Sequence, residues 1–264
     1  MIYIGTSGFQ YDDWVGPYYP EELEKKEWLN YYAREFNTLE INYTYYRMPN
    51  ARTLFLMAKK VPAHFLFTVK ATQEMTHARE RDPRVFEQFV QAIAPLREAG
   101  KFGCILAQFP NSFRATDESR DYCKWFREQL GDLPVVVEFR NKEWLTPETY
   151  ELLRSDQLGF CCVDEPFFPR VDNVTSDIAY VRFHGRNYKK WWKHDQPYER
   201  YDYTYSEDEL KEWTPKIENM NHEARETFVF ANNHYKGQGI QTARQLKLLL
   251  PEAEKAAGPE RDGA

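Results

Sequence analysis

Short apolar runs alternate along the chain with longer stretches of helical period, the pattern of strands separated by helices. The runs are IYIGT (2–6), TLEIN (38–42), LFTVK (66–70), CILAQF (104–109), VVVEFR (135–140), FCCVD (160–164), AYVRFH (179–184) and TFVFANN (227–233). Helix boundaries between them are well marked. Asp82-Pro83 and Thr146-Pro147 each put an N-cap before a first-turn proline, and Ser206 with Glu209 forms a capping-box pattern. Gly100 and Gly131 stand where helices need a left-handed C-terminal residue. Parallel neighbours need crossover connections, so eight such strands predict one α/β domain, a TIM-type (β/α)8 barrel with a parallel sheet, over residues 1–250. No GxGxxG follows the first strand, which argues against a doubly wound open sheet. PEAEKAAGPERDGA, residues 251–264, reads as a flexible tail.

Strand parity sharpens this picture, because successive side chains face opposite sides of a sheet. Val135, Val137 and Phe139 share one face of their run, while Val136, Glu138 and Arg140 share the other. Leu39 and Ile41 oppose Thr38, Glu40 and Asn42. Phe67 and Val69 oppose Thr68 and Lys70, and Val181 and Phe183 oppose Tyr180, Arg182 and His184. The remaining runs end on Gln108, Asp164 and Asn232. One face stays apolar to its end, as packing under helices requires. The other turns polar only at its C-terminal end. In a barrel these ends meet at one mouth, the face on which barrel enzymes carry their chemistry.

Composition narrows the choice of ligand. The formal net charge is −6, which gives no support to whole-surface attraction to nucleic acid or anionic lipid. Aromatic residues make up 16%, and many of the Tyr and Trp fall in otherwise polar connections. Cys104, Cys123, Cys161 and Cys162 show no CxxC spacing and read as buried thiols. The chain enters its first strand at once and has no apolar run of membrane-spanning length, so a soluble cytoplasmic protein without a membrane partner is expected.

The segments YIGTSGFQYDDWVGPYYP, FNTLEINYTYYRMPN, TVKATQEMTH, LAQFPNSF, VEFRNKEW, YVRFHG and FANNHYKG occur in this order. Together they resemble the YecE-like family, domain of unknown function 72, from Ile2 to about Leu250. The resemblance implies a TIM-type barrel and names no reaction. The family's likeness to apurinic-site endonucleases and sugar isomerases is one of fold. Phe9, Tyr43 and Thr242 depart from the family's usual Trp, small hydroxyl residue and Asn.

Four constellations follow. Lys70, Arg140, Arg182 and His184, with the turn Thr6-Ser7-Gly8, suit an anion such as phosphate, held by guanidinium forks and backbone N–H groups. Glu40, Glu138 and His184 are the acid–base candidates, while Asn42, Gln108, Asn232 and Asn233 would orient hydroxyls or carbonyls. Glu40 and Glu138 alternatively form the working pair of a sugar-processing enzyme, a reading that direct contact of both with arginine would weaken. A divalent metal would draw on Glu40, His77, Glu138, Asp164, His184 and His234, but no HxH or HxxxH spacing is present and the cations would repel it. No cofactor is therefore expected. The long connection GRNYKKWWKHDQPYERYDYTY (185–205) interleaves Lys189, Lys190 and Lys193 with Tyr188, Trp191 and Trp192. Such a segment suits a lid, a stacking platform for a nucleotide or nucleic-acid fragment, or the working surface of a non-catalytic nucleic-acid or protein-binding module. Trp14, Tyr45, Tyr46 and Trp144 follow strands and are expected on the same rim, with Asp164 and His77 beside the ligand.

Overall fold

A computed structural model describes residues 1–251, so the expected tail lies outside the described residues from 252 onward. Eight strands, β1 (Ile2–Ser7), β2 (Thr38–Ile41), β3 (Leu66–Lys70), β4 (Phe102–Phe109), β5 (Val135–Phe139), β6 (Leu158–Asp164), β7 (Ile178–Phe183) and β8 (Glu226–Ala231), close into a parallel barrel in chain order. β8 returns to β1, pairing Thr227 with Ile2 through to Ala231 with Thr6. Each of the eight apolar runs is a strand.

Helices α1 (Trp28–Tyr32), α2 (Ala51–Lys59), α3 (Pro83–Glu98), α4 (Asp117–Gln129), α5 (Pro147–Ser155), α6 (Glu207–Lys211), α7 (Thr214–Glu223) and α8 (Gln238–Leu249) occupy the connections. The connection between β6 and β7 has none. Asp82, Thr146 and Ser206 cap their helices as the sequence predicts, the last in a full capping box with Glu209. Gly100 and Gly131 take φ of +65° and +55°, where a Cβ is disfavoured.

Two apolar layers result. Outward strand residues such as Leu39, Phe67, Val137 and Val181 pack beneath the helices. The barrel interior is filled by Tyr3, Cys104, Leu106, Val136, Cys161, Val163, Ile178, Tyr180, Phe228 and Phe230. All four cysteines are free and buried. This filled lower barrel forms the base on which the inward residues of the last strand turns sit. Among the described residues no helix is long and apolar enough to cross a membrane.

Candidate functional site at the barrel mouth

The floor of the mouth is a chain of alternating charges. Arg182 on β7 donates to Glu40 on β2 at 2.7 Å and to Glu138 on β5 at 2.6 Å. Arg140, just past β5, contacts the second oxygen of Glu138 and reaches Glu165 at 2.5 Å. Tyr180 donates to the free oxygen of Glu40 at 2.7 Å. The register explains the convergence, because inward positions of neighbouring strands sit at one height: Ser7 is level with Glu40, Glu40 with Thr68, and Gln108 with Glu138. Glu40, Glu138 and Arg182 are all but solvent-free. Burial raises the proton affinity of Glu138, but Arg140, Arg182 and His184 prevail and hold it well below the usual carboxylate range. Glu40 and Glu138 thus share one guanidinium, the arrangement that weakens their reading as a glycosidase pair.

His184 is fully buried, and burial with the adjacent Arg140 drives its pKa down to about 3, so the imidazole is neutral. Arg140 lies 3.1 Å from Nε2, and a guanidinium can only donate. Glu138 Oε1 also lies 3.5 Å from Nε2, and the Asn232 amide nitrogen lies 2.8 Å from Nδ1. Partners at both ring nitrogens hold the His184 ring in place.

Lys70 differs from these residues. It ends β3, is half-buried, and donates to Gln108 at 2.9 Å while its ammonium stands 4.7 Å over the Tyr45 ring. No carboxylate pairs with it among the described residues. Burial and the charge of Arg182 lower its pKa to about 7, against the partial compensation of Glu138 and Glu40. His77 follows on a one-turn π-helix (Glu74–Ala78), edge-on to Tyr45 at 4.9 Å, and burial with Lys70 lowers its pKa to about 4.

A cavity of about 380 Å³ opens above this floor. Lys70, Arg140, Arg182, Glu40, Asn42, Gln108 and Asn232 line its polar side. Phe9, Tyr11, Tyr43, Tyr45, Tyr46, Tyr201 and His234 form an aromatic wall. Tyr11 stacks on His234 with centroids 4.5 Å apart, and His234 leans on Tyr201 at 5.5 Å. The Nε–H of Arg182 is buried without a partner, as is Oδ1 of Asn42.

Several expected positions differ. Asp164 does not reach the mouth. Cys161 and Val163 fill the barrel, so the next inward residue is Glu165, and Asp164 faces the helices. There it accepts from Arg170 (2.9 Å), Arg186 (2.7 Å), Tyr205 (2.8 Å) and the Trp213 indole (2.7 Å). β6 is apolar on both faces, which leaves no alternation in the sequence to fix its phase. Glu165 is the residue missed, and burial raises its pKa to about 7 despite Arg140.

Thr6 also points outward, bonding the Tyr32 hydroxyl and the Gly8 carbonyl, while Ser7 lies inside, 3.4 Å from Arg182. Gly8 N–H is consumed by the Glu40 carbonyl at 2.9 Å, so the Thr6-Ser7-Gly8 turn does not offer that group to an anion. Asn233 bonds Tyr203 and Thr242 behind the wall. Trp14 and Trp144 are fully buried rather than on the rim: Trp14 bonds the His234 carbonyl, and Trp144 stacks on Phe139 at 4.1 Å.

The 185–205 segment folds over the mouth. Asn187 ties its two ends by bonding the carbonyls of Glu199 and Asp202. Lys190 pairs with Glu199 at 2.8 Å. Trp191 is buried against Tyr201 and His184, whereas Trp192 is 64% exposed. Among the described residues no group of three His, Cys, Asp or Glu side chains gathers in a metal-binding arrangement. Glu40, Glu138, Glu165 and Asp164 are each occupied by arginine. Tyr45 and Tyr46 join the aromatic wall as their place after β2 suggests, whereas Phe9, Tyr11, Tyr43 and Tyr201 come from connections where parity gives no guidance.

Comparison with known proteins agrees with this architecture. The family model described as "Protein of unknown function DUF72" matches residues 3–263. The UPF0759 protein YunF of Bacillus subtilis is 31% identical over 270 residues, covering 95% of both chains. A DUF72 family protein of Thermotoga maritima is 41% identical, with a TM-score of 0.87 over 94% of this chain and 98% of that one. Another from Enterococcus faecalis is 27% identical, with a TM-score of 0.85 over 95% of this chain and 96% of that one. With its barrel, its ordered motifs and these relatives in agreement, the chain belongs to the DUF72 family.

Proposed function

We propose that the mouth binds a small anionic, phosphate-bearing molecule and performs acid–base chemistry on it. The observation that carries this reading is the meeting of Lys70, Arg140 and Arg182 along one aromatic-walled cavity, with Lys70 left without a carboxylate partner among the described residues. An anion in the cavity would supply the counter-charge that Lys70 lacks. Glu40, Glu138 and Glu165 hold the two guanidiniums rigidly, so little ordering entropy remains to oppose binding. A cavity of about 380 Å³ suits a sugar phosphate or one nucleotide, whose ring would stack on the tyrosines.

Glu40, Glu138 and His184 serve here as positioning residues, since each is enclosed and fully engaged. Proton transfer falls to Lys70, which lines the cavity and whose pKa lies near 7. Calorimetric titration with sulfate and with D-ribose 5-phosphate tests the binding. Saturable binding of both, weakened about tenfold or more by Lys70→Met, is the expected result. Absence of binding, or equal affinity in Lys70→Met, overturns the reading.

A further inference from the structure

Lys70 has a geometry that anion binding alone does not require. An ammonium kept only as a counter-charge is ordinarily placed against a carboxylate, and carboxylates are close at hand on β2 and β5. Yet Glu40 and Glu138 are committed to Arg182 and Arg140, and Lys70 is left with one neutral partner, Gln108 at 2.9 Å. Its Nζ lines the cavity beside the face of Tyr45 rather than lying beneath the charge network. The titratable and charged groups facing it are Arg182 from β7, Glu138 from β5 and Arg140 just past it, Glu40 from β2 and His77 from the turn after β3. Burial and the neighbouring arginines together favour the free amine, and their combined effect brings its pKa to about 7. A desolvated lysine beside other cations is the arrangement in which an amine becomes a nucleophile near neutral pH.

We propose that Lys70 is the nucleophile of the mouth and forms an imine with a small anionic aldehyde or ketone whose acidic group is held by Arg140 and Arg182. This deepens the anion-binding reading and rests on it for the orientation of the substrate. In the reaction the amine lone pair forms a C–N bond to the carbonyl carbon, and one proton passes from nitrogen to the carbonyl oxygen. The resulting hydroxyl takes a further proton from solvent and leaves as water. The nitrogen keeps one hydrogen and carries the positive charge, making the adjacent carbon–carbon or carbon–hydrogen bond easier to break. No oxidant or reductant is consumed.

Reductive trapping tests the proposal on the whole chain. The protein is incubated with glyoxylate and sodium cyanoborohydride at pH 7.5, and the modified lysines are located by peptide mass mapping. Lys70 is expected to be modified about a hundredfold faster than surface lysines, since its free-amine fraction exceeds theirs by more than that. Sulfate is expected to slow this modification. Lys70→Arg separates charge from nucleophile: it should keep sulfate binding and lose the fast adduct, and Lys70→Met should lose both. Modification spread evenly over the surface lysines, or a fast adduct that survives in Lys70→Arg, overturns the proposal. Sulfate binding without trapping at Lys70 overturns the imine and leaves the anion reading standing. Trapping at Lys70 unaffected by sulfate supports the nucleophile and overturns anion binding by the two arginines.

Discussion

Two clusters of arginine and carboxylate sit only a strand's thickness apart, and they differ in what they leave undone. Behind β6, Asp164 collects four donors from Arg170, Arg186, Tyr205 and Trp213, with Glu209 and Glu212 balancing Arg186 from α6 and the residue after it. At the mouth, Glu40, Glu138 and Glu165 alternate with Arg182 and Arg140 in much the same way. The Asp164 cluster is closed and ties β6 to the segment over the mouth. The mouth cluster stops short: Lys70 lines a cavity and lacks an acid, and the Nε–H of Arg182 is buried without a partner. Buried charge by itself therefore says little about function. Incomplete satisfaction facing a cavity says a good deal more.

Breaking the closed cluster should cost stability most. Asp164→Ala leaves two arginines, a tyrosine and an indole without their acceptor, and a loss of about 3–5 kcal/mol in urea unfolding is expected. Trp191→Ala, which removes the buried ring beside His184, should cost about 3 kcal/mol and loosen the segment over the mouth, visible as faster amide exchange across 185–205. A stability loss below about 1 kcal/mol in either variant would contradict the structural role.

The open cluster should respond in the opposite sense. Lys70→Met removes a desolvated cation without a partner, so stability should be unchanged or slightly higher. Sulfate affinity should meanwhile fall about tenfold, close to 1.4 kcal/mol. Sulfate keeps its charge above pH 4, so its affinity for the wild type should fall as pH rises through about 7, where Lys70 loses its proton. Ionisation of Glu165 near the same pH acts in the same direction. Combining Lys70→Met with Glu165→Gln should leave a flat profile between pH 6 and 8.

Glu165 also has a stability signature. Its folded pKa of about 7 lies above the unfolded value, so the folded form holds more protons between about 4.5 and 7. Its contribution is complete below about 4.5 and is lost as pH rises through 7. His184, at about 3 in the fold, has the reverse slope below about 6.5. Glu165→Gln should therefore make urea midpoints rise more steeply with pH between about 4.5 and 7, where the His184 gain is no longer opposed. The smallest effect belongs to the exposed Trp192, whose replacement by Ala should move stability by less than about 0.5 kcal/mol and leave sulfate binding intact.

Much of this was legible in the chain. Strand positions followed from short apolar runs, the caps at Asp82, Thr146 and Ser206 from their side-chain chemistry, and the inward set Glu40, Lys70, Gln108, Glu138, Arg140, Arg182 and His184 from alternation against an apolar face. Alternation gives no phase at β6, where both faces are apolar and Glu165 rather than Asp164 faces inward, and Thr6 and Asn233 are small polar residues that serve the outer layer. The sequence by itself thus determined the barrel and the face on which its charges gather, because both depend on local periodicity summed over eight strands. Only the tertiary structure decided which charges are paired. That choice rests on the closed register that brings β2, β5 and β7 within reach of one guanidinium, and on the connections that wall Lys70 into a cavity without giving it an acid.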